Sequence, residues 1–183
     1  MNDSQKDILD FWFEKTSPQQ WFQINPEFDA LVAQLFSERY EKARGGVLDD
    51  WRRDADGCLA LCLLMDQFPR NMFRGTAQAY ATDSKALVIA KYAVSKGFDQ
   101  VLPLVKRRFL YLPYEHSEVL NDQRCCVEFF EKTKKEDPLS YDYALRHFQV
   151  IDAYGRFPHR NGILGRMNTP EEEEYLARPG SGF

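Results

Sequence analysis

Gly57-Cys-Leu-Ala-Leu-Cys-Leu-Leu-Met-Asp-Gln67 is the segment on which the fold depends. Every residue from Cys58 to Met65 is apolar, and a helix without a polar face is buried on most sides. Asp66 continues one face of this helix, so its carboxylate is expected to be buried. A buried carboxylate needs a partner, and Arg70 is near in sequence. The segment therefore predicts the central helix of a helical core.

Start and stop signals predict helices on both sides of this segment. Ser4–Lys15 has a partly apolar face and forms a first helix. Asn25-Pro26-Glu27 combines a capping side chain, a proline at the first helical position and an acid near the positive end of the helix dipole. Gly45-Gly46 ends that helix. Thr169-Pro-Glu-Glu172 has the form of a capping box, so a last short helix follows it.

The remaining apolar segments also follow helical spacing. The predicted helices are Thr76–Lys96, interrupted near Thr82, then Phe98–Phe109, Pro113–Lys134, and Pro138–Tyr154. No segment alternates apolar and polar residues as a strand does. We therefore predict a single all-α domain over residues 1–183, with about eight helices stacked as antiparallel pairs.

Composition narrows the classes of function. The net charge is -4 and the pI is near 5.5, which argues against a nucleic-acid partner. The longest apolar run is too short to span a bilayer, so no membrane association is predicted. The cysteines fall among apolar helical residues, as free thiols of a cytoplasmic protein do. No phosphate-binding loop, dinucleotide motif or metal motif is present, so no cofactor and no metal is predicted.

Three polar stretches predict a binding site. Tyr154–Arg166 places arginines, a histidine and an asparagine between glycines, Asp66–Gly75 repeats the Phe-Pro and Arg-Asn pattern, and Tyr111–Glu118 adds carboxylates and a histidine. We expect these stretches to form three walls of one site. The predicted ligand-binding residues are Arg70, Asn71, Arg74, Glu115, His116, His147, Arg156, His159, Arg160, Asn161 and Arg166.

The arginines suggest the chemistry of the ligand. No lysine follows Lys135, although several arginines do. The planar guanidinium binds carboxylate or phosphate in a way that lysine cannot reproduce. The leading interpretation is a site for a small anionic molecule or an acidic peptide. Equal weight goes to a structural network in which Arg70, Arg156 and Arg160 pair with Asp66, Glu115 and Glu118, as in a scaffold that binds its partners elsewhere.

The histidines keep an enzymatic alternative open. The predicted helices place His116 and His147 on apolar faces, where a histidine is more often a structural residue of the core than a catalytic one. The alternative is a small-molecule hydrolase in which His116 or His147 is the base and Glu118 is the acid or a ligand of an assisting metal. The catalytic residues are therefore unknown, with His116, Glu118 and His147 as the candidates.

Several of these motifs together resemble a known family. They are Ile8-Leu-Asp-Phe-Trp-Phe13, Trp21-Phe22, Asp66-Gln-Phe-Pro-Arg-Asn71, Arg74-Gly75, Leu112-Pro-Tyr-Glu-His-Ser-Glu118, His147, Gly155-Arg-Phe-Pro-His-Arg-Asn161 and Leu164-Gly-Arg166. The chain resembles, over nearly its whole length, the uncharacterised bacterial family called domain of unknown function 924. The resemblance implies an all-helical, tetratricopeptide-like right-handed superhelix and implies no activity. Asp152-Ala153-Tyr154 departs from the more apolar, Arg- and Phe-containing lead into Gly155 that the family has.

Overall fold

The computed structural model describes residues 5–182 and contains helices, turns and loops, with no strand in that range. The α-helices are α1 Gln5–Asp10, α2 Pro26–Arg44, α3 Ala55–Cys62, α4 Phe68–Met72, α5 Asp83–Ser95, α6 Phe98–Val101, α7 Leu104–Glu115, α8 Leu120–Glu131, α9 Pro138–Tyr154 and α10 Pro170–Leu176. Single π-helical turns follow α1 and α3, at Phe11–Lys15 and Leu63–Gln67. Short 3-10 turns lie at Asp49–Arg53, Ala77–Tyr80 and Pro158–Arg160. The all-α prediction is confirmed.

The helices fall into two compact units. Unit 1 contains the chain up to Arg74 together with Gln78–Pro113, and unit 2 contains Gly75–Ala77 and the chain from Tyr114 onward. Within unit 1, α2 packs on α4 and α3 packs on α5, and within unit 2, α8 packs on α9. The single domain and the tetratricopeptide-like superhelix stay predictions. None of the helices within residues 5–182 has the length and hydropathy needed to cross a bilayer.

The central segment forms the core of unit 1, as its composition predicts. All residues from Gly57 to Gln67 are buried. Phe68 extends this core into an aromatic group, because its ring centroid lies 5.3 Å from that of Trp12 and 4.7 Å from that of Phe36. Each large apolar side chain buried in this way contributes about 1.5–3 kcal/mol. Burial of this segment is therefore the main local source of stability in unit 1.

Gly57 allows the core helix to touch the turn before it. A Cβ atom built at this position would lie 1.8 Å from the carbonyl oxygen of Trp51. We expect Gly57→Ala to lower the free energy of unfolding by more than about 2 kcal/mol, because α3 must move away from the turn and disturb its packing. Gly162→Ala is the control, since nothing lies within 4 Å of a Cβ there. Urea unfolding of both variants tests this, and equal stability would contradict it.

Two of the predicted helix starts are confirmed in atomic detail. The Asn25 side chain accepts hydrogen bonds from the backbone N–H groups of Glu27 and Phe28 at 3.0 and 3.1 Å. Thr169 and Glu172 form the capping box that starts α10. These short-range signals depend on a few neighbouring residues, which is why sequence predicts them well.

The helix predicted over Pro113–Lys134 is wrong. The structure continues α7 through Pro113 to Glu115, turns, and begins α8 at Leu120. Pro113 has no N–H group to donate to the carbonyl of Phe109, and α7 ends two residues after it. The Gln123 amide donates to the carbonyls of Glu115 and Ser117 at 2.6 and 2.7 Å, which stabilises the turn.

Two further consequences follow for the predicted helices. The helix predicted over Phe98–Phe109 is interrupted, because α6 ends at Val101 and α7 begins at Leu104, after Pro103. His116 lies in the turn between α7 and α8, so the helical face on which it was placed does not exist. The helix predicted over Pro138–Tyr154, by contrast, has the predicted bounds. Gly155 follows α9 in a left-handed conformation with φ of 68°.

Candidate functional site

Arg70 is held by carboxylates of unit 1. Its two terminal nitrogens donate to the two carboxylate oxygens of Asp83, both at 2.9 Å, and Nη1 lies 3.2 Å from Asp66 Oδ1. Burial alone would lower the pKa of Arg70, but Asp66 and Asp83 outweigh burial and raise it. The partner that the buried Asp66 was expected to need is therefore Arg70, with a further hydrogen bond at 2.7 Å from Gln67.

Arg74 and Asn71 share one carboxylate of α2. Asp29 accepts hydrogen bonds from Arg74 Nε at 2.6 Å, Arg74 Nη2 at 2.9 Å and Asn71 Nδ2 at 2.8 Å. Burial opposes ionisation of Asp29, yet these donors lower its pKa overall. The three predicted ligand-binding residues of unit 1 thus contact carboxylates of their own unit, and the bonds to Asp29 tie α4 to α2.

Arg156 and Arg166 each form a bidentate ion pair with a glutamate of unit 2. Arg156 donates to both oxygens of Glu172 at 2.6 and 2.7 Å. Arg166 donates to both oxygens of Glu118 at 2.7 and 3.0 Å, and Glu118 also accepts from the backbone N–H of Phe157 at 2.8 Å. Burial would raise the pKa of Glu118, but Arg166 and the Phe157 N–H lower it overall.

Asn161 joins the Arg156 pair from within the same unit. It is fully buried and donates through Nδ2 to Asn168 at 2.8 Å and to Glu172 at 3.2 Å. Glu172 in turn accepts from the backbone N–H of Thr169 at 2.8 Å. One carboxylate therefore holds α10, the loop before it and the 3-10 turn together.

The remaining predicted residues meet around the ring of Phe157. We call His116, His147, Phe157, His159 and Arg160 the histidine cluster. The ring centroid of Phe157 lies 5.6 Å from those of His147 and His159. The rings of His116 and His147 are 6.2 Å apart, and the Arg160 guanidinium lies 4.3 Å from the Phe157 centroid. Arg160 also donates to the carbonyl of His116 at 3.1 Å, so the predicted walls 111–118 and 154–166 do meet in unit 2.

The tautomer of His147 follows from its contacts. Its Nδ1 lies 2.8 Å from the carbonyl oxygen of Tyr143, and a carbonyl can only accept, so Nδ1 carries the proton. The same nitrogen is 3.4 Å from Glu115 Oε1, and both side chains are buried. The neutral ring therefore keeps its lone pair on Nε2.

Both His147 and His159 are neutral at pH 7. The pKa of His147 is lowered to about 3, mainly by burial and also by the nearby His116 and Arg160. The hydrogen bond to the Tyr143 carbonyl acts in the opposite direction and is outweighed. Burial and Arg160 likewise lower the pKa of His159 to about 4, although Glu118 opposes this. The cluster thus joins uncharged imidazoles to a charged guanidinium.

Neither a metal centre nor the cavity of unit 2 coincides with the predicted site residues within residues 5–182. Residues 5–182 contain no group of three or more histidine, cysteine, aspartate or glutamate side chains arranged to hold a metal ion. A cavity of about 300 Å³ lies in unit 2 but contains none of the predicted site residues in its lining. We base the candidate site on the histidine cluster, because its charges and donors are already assembled, and return to the cavity below.

Sequence reasoning named Asp66 and Glu118 as arginine partners but missed three other carboxylates that hold arginines. Asp29 and Asp83 stand in the first turns of α2 and α5, where acids occur for reasons of the helix dipole alone. Nothing local marks them as arginine partners. Glu172 did carry a signal, the capping box, but that motif does not indicate the pairing with Arg156.

Comparison with known proteins agrees with the resemblance. The chain matches the family described as "Bacterial protein of unknown function (DUF924)" over residues 8–180. It is similar to a solved structure described as "Structure of Protein of Unknown Function ATU0120 from Agrobacterium tumefaciens", with 41% sequence identity and a TM-score of 0.89, and the alignment covers 94% of this chain and 96% of that one. No curated protein matches the chain significantly. The family match covers nearly the whole chain, and the solved structure has the same helical fold. The chain therefore belongs to the DUF924 family.

Proposed function

We propose that the histidine cluster binds a small anionic group, either a phosphate or a carboxylate. The observation that carries the proposal is the convergence of His147, His159 and Arg160 on the ring of Phe157, with the ring of His116 beside that of His147. Arginine and imidazole N–H groups are the donors that bind such anions best in a partly buried site. The ring of Phe157 supplies a rigid surface for them.

The charge balance of the cluster supports an anion as the ligand. Burial and the neighbouring guanidinium oppose protonation of His147 and His159. A bound anion near Arg160 reverses the sign of the local field and favours the protonated imidazoles. Anion binding is thus expected to be accompanied by proton uptake, which makes the affinity increase as the pH falls.

The other arginines serve as the framework of this proposal. Arg156 donates two hydrogen bonds to Glu172, and Arg166 donates two to Glu118. An incoming anion would have to displace those carboxylates from short hydrogen bonds. We therefore assign the ligand to the histidine cluster and give these pairs the role of holding the 154–166 stretch in place.

An acid–base enzyme is less well supported by the geometry. Glu118 has a lowered pKa and two bonds from Arg166, so it is ionised at pH 7 and cannot act as the acid. His147 has a pKa of about 3 and is a weak base at that pH. Binding requires neither group to change its protonation before the ligand arrives.

The cytoplasm is the compartment in which we propose this function. Cys58, Cys62, Cys125 and Cys126 are free thiols. Burial raises the pKa of Cys58 to about 11. Cysteines that form no disulfide fit a reducing compartment.

The proposal predicts ligand-dependent stabilisation. Inorganic phosphate or succinate is expected to raise the melting temperature of the wild type, because a ligand that binds only the folded state stabilises it by about 3 kcal/mol at a hundred times its Kd. The increase should disappear in Arg160→Met and in His147→Asn, which keeps a donor to the Tyr143 carbonyl but removes Nε2. Sodium chloride at matched ionic strength controls for screening.

A second readout separates binding from a structural effect. The imidazole Cε1–H signals of His147 and His159 should shift toward the protonated form when the anion is added at about pH 6. Arg178→Met is the matched control, because Arg178 is exposed and paired only with Glu174. The proposal fails if phosphate and succinate change neither the melting temperature nor the histidine signals of folded wild type.

A further inference from the structure

A groove of unit 2 lies outside the histidine cluster. Its volume is about 300 Å³, and we call it the tyrosine groove after two of its walls. The residues that line it are Arg146, Gln149, Val150, Ala153, Tyr154, Tyr175 and Gly180. None of these residues belongs to the histidine cluster, so the groove is a separate candidate site.

One face of α9 forms most of the groove. Arg146, Gln149, Val150, Ala153 and Tyr154 recur at intervals of one, three and four residues, which places them along one side of a helix. The opposite wall is Tyr175 of α10, followed by Gly180. Since both helices belong to unit 2, the groove is complete within that unit.

The walls of the groove are mainly apolar and aromatic. The rings of Tyr154 and Tyr175 lie 5.1 Å apart at 45°, and both pack against the buried core residues Val150, Ile151 and Phe157. Burial and the neighbouring Tyr154 raise the pKa of Tyr175, so its hydroxyl is neutral at pH 7. Two rings held against a rigid core offer a preformed aromatic surface to a planar ligand.

The charged end of the groove is Arg146. Its guanidinium lies 2.6 Å from Asp142, but both side chains are about half exposed, at 59% and 49%. An exposed pair of this kind contributes little to stability, because water and salt screen it. A ligand carboxylate can therefore replace Asp142 as the partner of Arg146 with little loss.

We propose that the tyrosine groove binds a small planar carboxylate, with its ring packed against the exposed sides of Tyr154 and Tyr175 and its carboxylate on Arg146. The volume favours a small molecule, since a stable protein–protein interface buries roughly 1,200–2,000 Å² and extends well beyond such a groove. Arginine supplies the charge complement, and the tyrosine rings supply the contact area.

Benzoate is the probe that tests the proposal. In NMR titrations of the full chain we expect millimolar affinity, which is the range for a ligand of about ten non-hydrogen atoms with one ion pair. The ring signals of Tyr154 and Tyr175 should shift. Benzamide, which has the same shape without the charge, should bind about tenfold more weakly, and so should benzoate to Arg146→Met.

Matched variants decide between the groove and other sites. Arg178→Met removes an arginine from a similar exposed pair outside the groove and should leave benzoate binding unchanged. Ala153→Trp fills the groove at an exposed position, so it should abolish binding while the melting temperature is retained. Benzoate binding should survive in Arg160→Met, which separates this proposal from the anion site at the histidine cluster.

Three outcomes would overturn the proposal. The first is no shift of either tyrosine ring at the highest soluble benzoate concentration. The second is undiminished binding to folded Ala153→Trp, which would place the ligand elsewhere. The third is loss of binding in Arg160→Met but not in Arg146→Met, which would assign benzoate to the histidine cluster.

Discussion

Acidification from about pH 7 to about pH 5 is expected to lower the free energy of unfolding by about 2–4 kcal/mol, in nearly equal parts through His147 and His159. The pKa of His147 is about 3 in the folded protein, and that of His159 is about 4, whereas an unfolded histidine titrates near 6.5. Burial and the positive charge of Arg160 are the causes. In the absence of a bound anion, both histidines are therefore mainly neutral in the folded protein over this pH range.

The direction of this effect follows from proton binding. Below pH 6.5 the unfolded chain binds protons at these histidines and the folded chain does not, so acid favours unfolding. Stability is complete above the unfolded pKa and is lost progressively down to the folded values of about 4 and 3. Glu115 and Glu118 also face the cluster, and they limit the loss because they attract the incoming proton charge.

Urea unfolding at the two pH values measures the effect. His147→Asn removes the group with the larger shift, so the variant should be less stable at pH 7 but lose about half as much on acidification. A control variant at an exposed position, Glu173→Gln, should keep the wild-type pH dependence. Equal pH dependence in wild type and folded His147→Asn would contradict the assignment.

Glu172→Gln is expected to destabilise the protein by about 2–3 kcal/mol, which is below the loss for a fully enclosed pair because the Arg156 side chain is 29% exposed. The carboxylate of Glu172 accepts from Arg156, Asn161 and the backbone of Thr169. A glutamine leaves Arg156 without a counter-charge and turns an N–H group toward other donors. The cap of α10 and the 154–166 stretch should both loosen.

The same carboxylate predicts a second, more acidic transition. Arg156 is the main cause that lowers the pKa of Glu172 to about 2, with help from Thr169 and Asn161. Its stabilising effect is complete above the unfolded pKa of about 4.3 and is lost as the pH falls through about 2. This range overlaps that of the histidines between about pH 3 and 4.3 and extends below it, so Glu172→Gln is needed to separate the two effects.

Thermal and urea unfolding of Glu172→Gln test the prediction, with Glu173→Gln as control on the next residue. Glu173 is exposed, and the change removes the same charge without touching the pair. Hydrogen exchange should show faster opening of residues around Asn161 and Thr169 in Glu172→Gln alone. Equal stability of the two variants would mean that the Arg156–Glu172 pair contributes nothing measurable.

The sequence predicted the features that depend on neighbouring residues. The apolar segment around Leu61 predicted a buried helix, and Asn25 and Thr169 predicted the helix starts that the structure contains. The error at Pro113 has a similar local origin. A proline preceding polar residues usually marks a helix start. Here the Gln123 amide donates to the carbonyls of Glu115 and Ser117, eight and six residues earlier, and stabilises a turn after Pro113. The residues next to the proline do not reveal this contact.

The candidate site divides in the same way. Residue type and spacing correctly indicated that 111–118 and 154–166 carry interacting polar side chains, and Arg160 does contact His116. The carboxylates Asp29, Asp83 and Glu172 could not be assigned to their arginines, since acids in first turns are common in any helix. Whether the predicted ligand-binding residues contact a ligand stays a prediction.

The sequence by itself determined that this chain is helical, where its core helix lies and which polar residues are available, because these depend on periodicity and on short-range capping. Only the tertiary structure decided which acid neutralises which arginine, because ion pairs form between residues that are distant in the chain. It also decided that His147 and His159 are neutral, since burial sets their pKa values. Arg156 and Arg166 each bind both oxygens of a carboxylate of the chain. The proposed anion site therefore consists of Arg160 and the histidines near it.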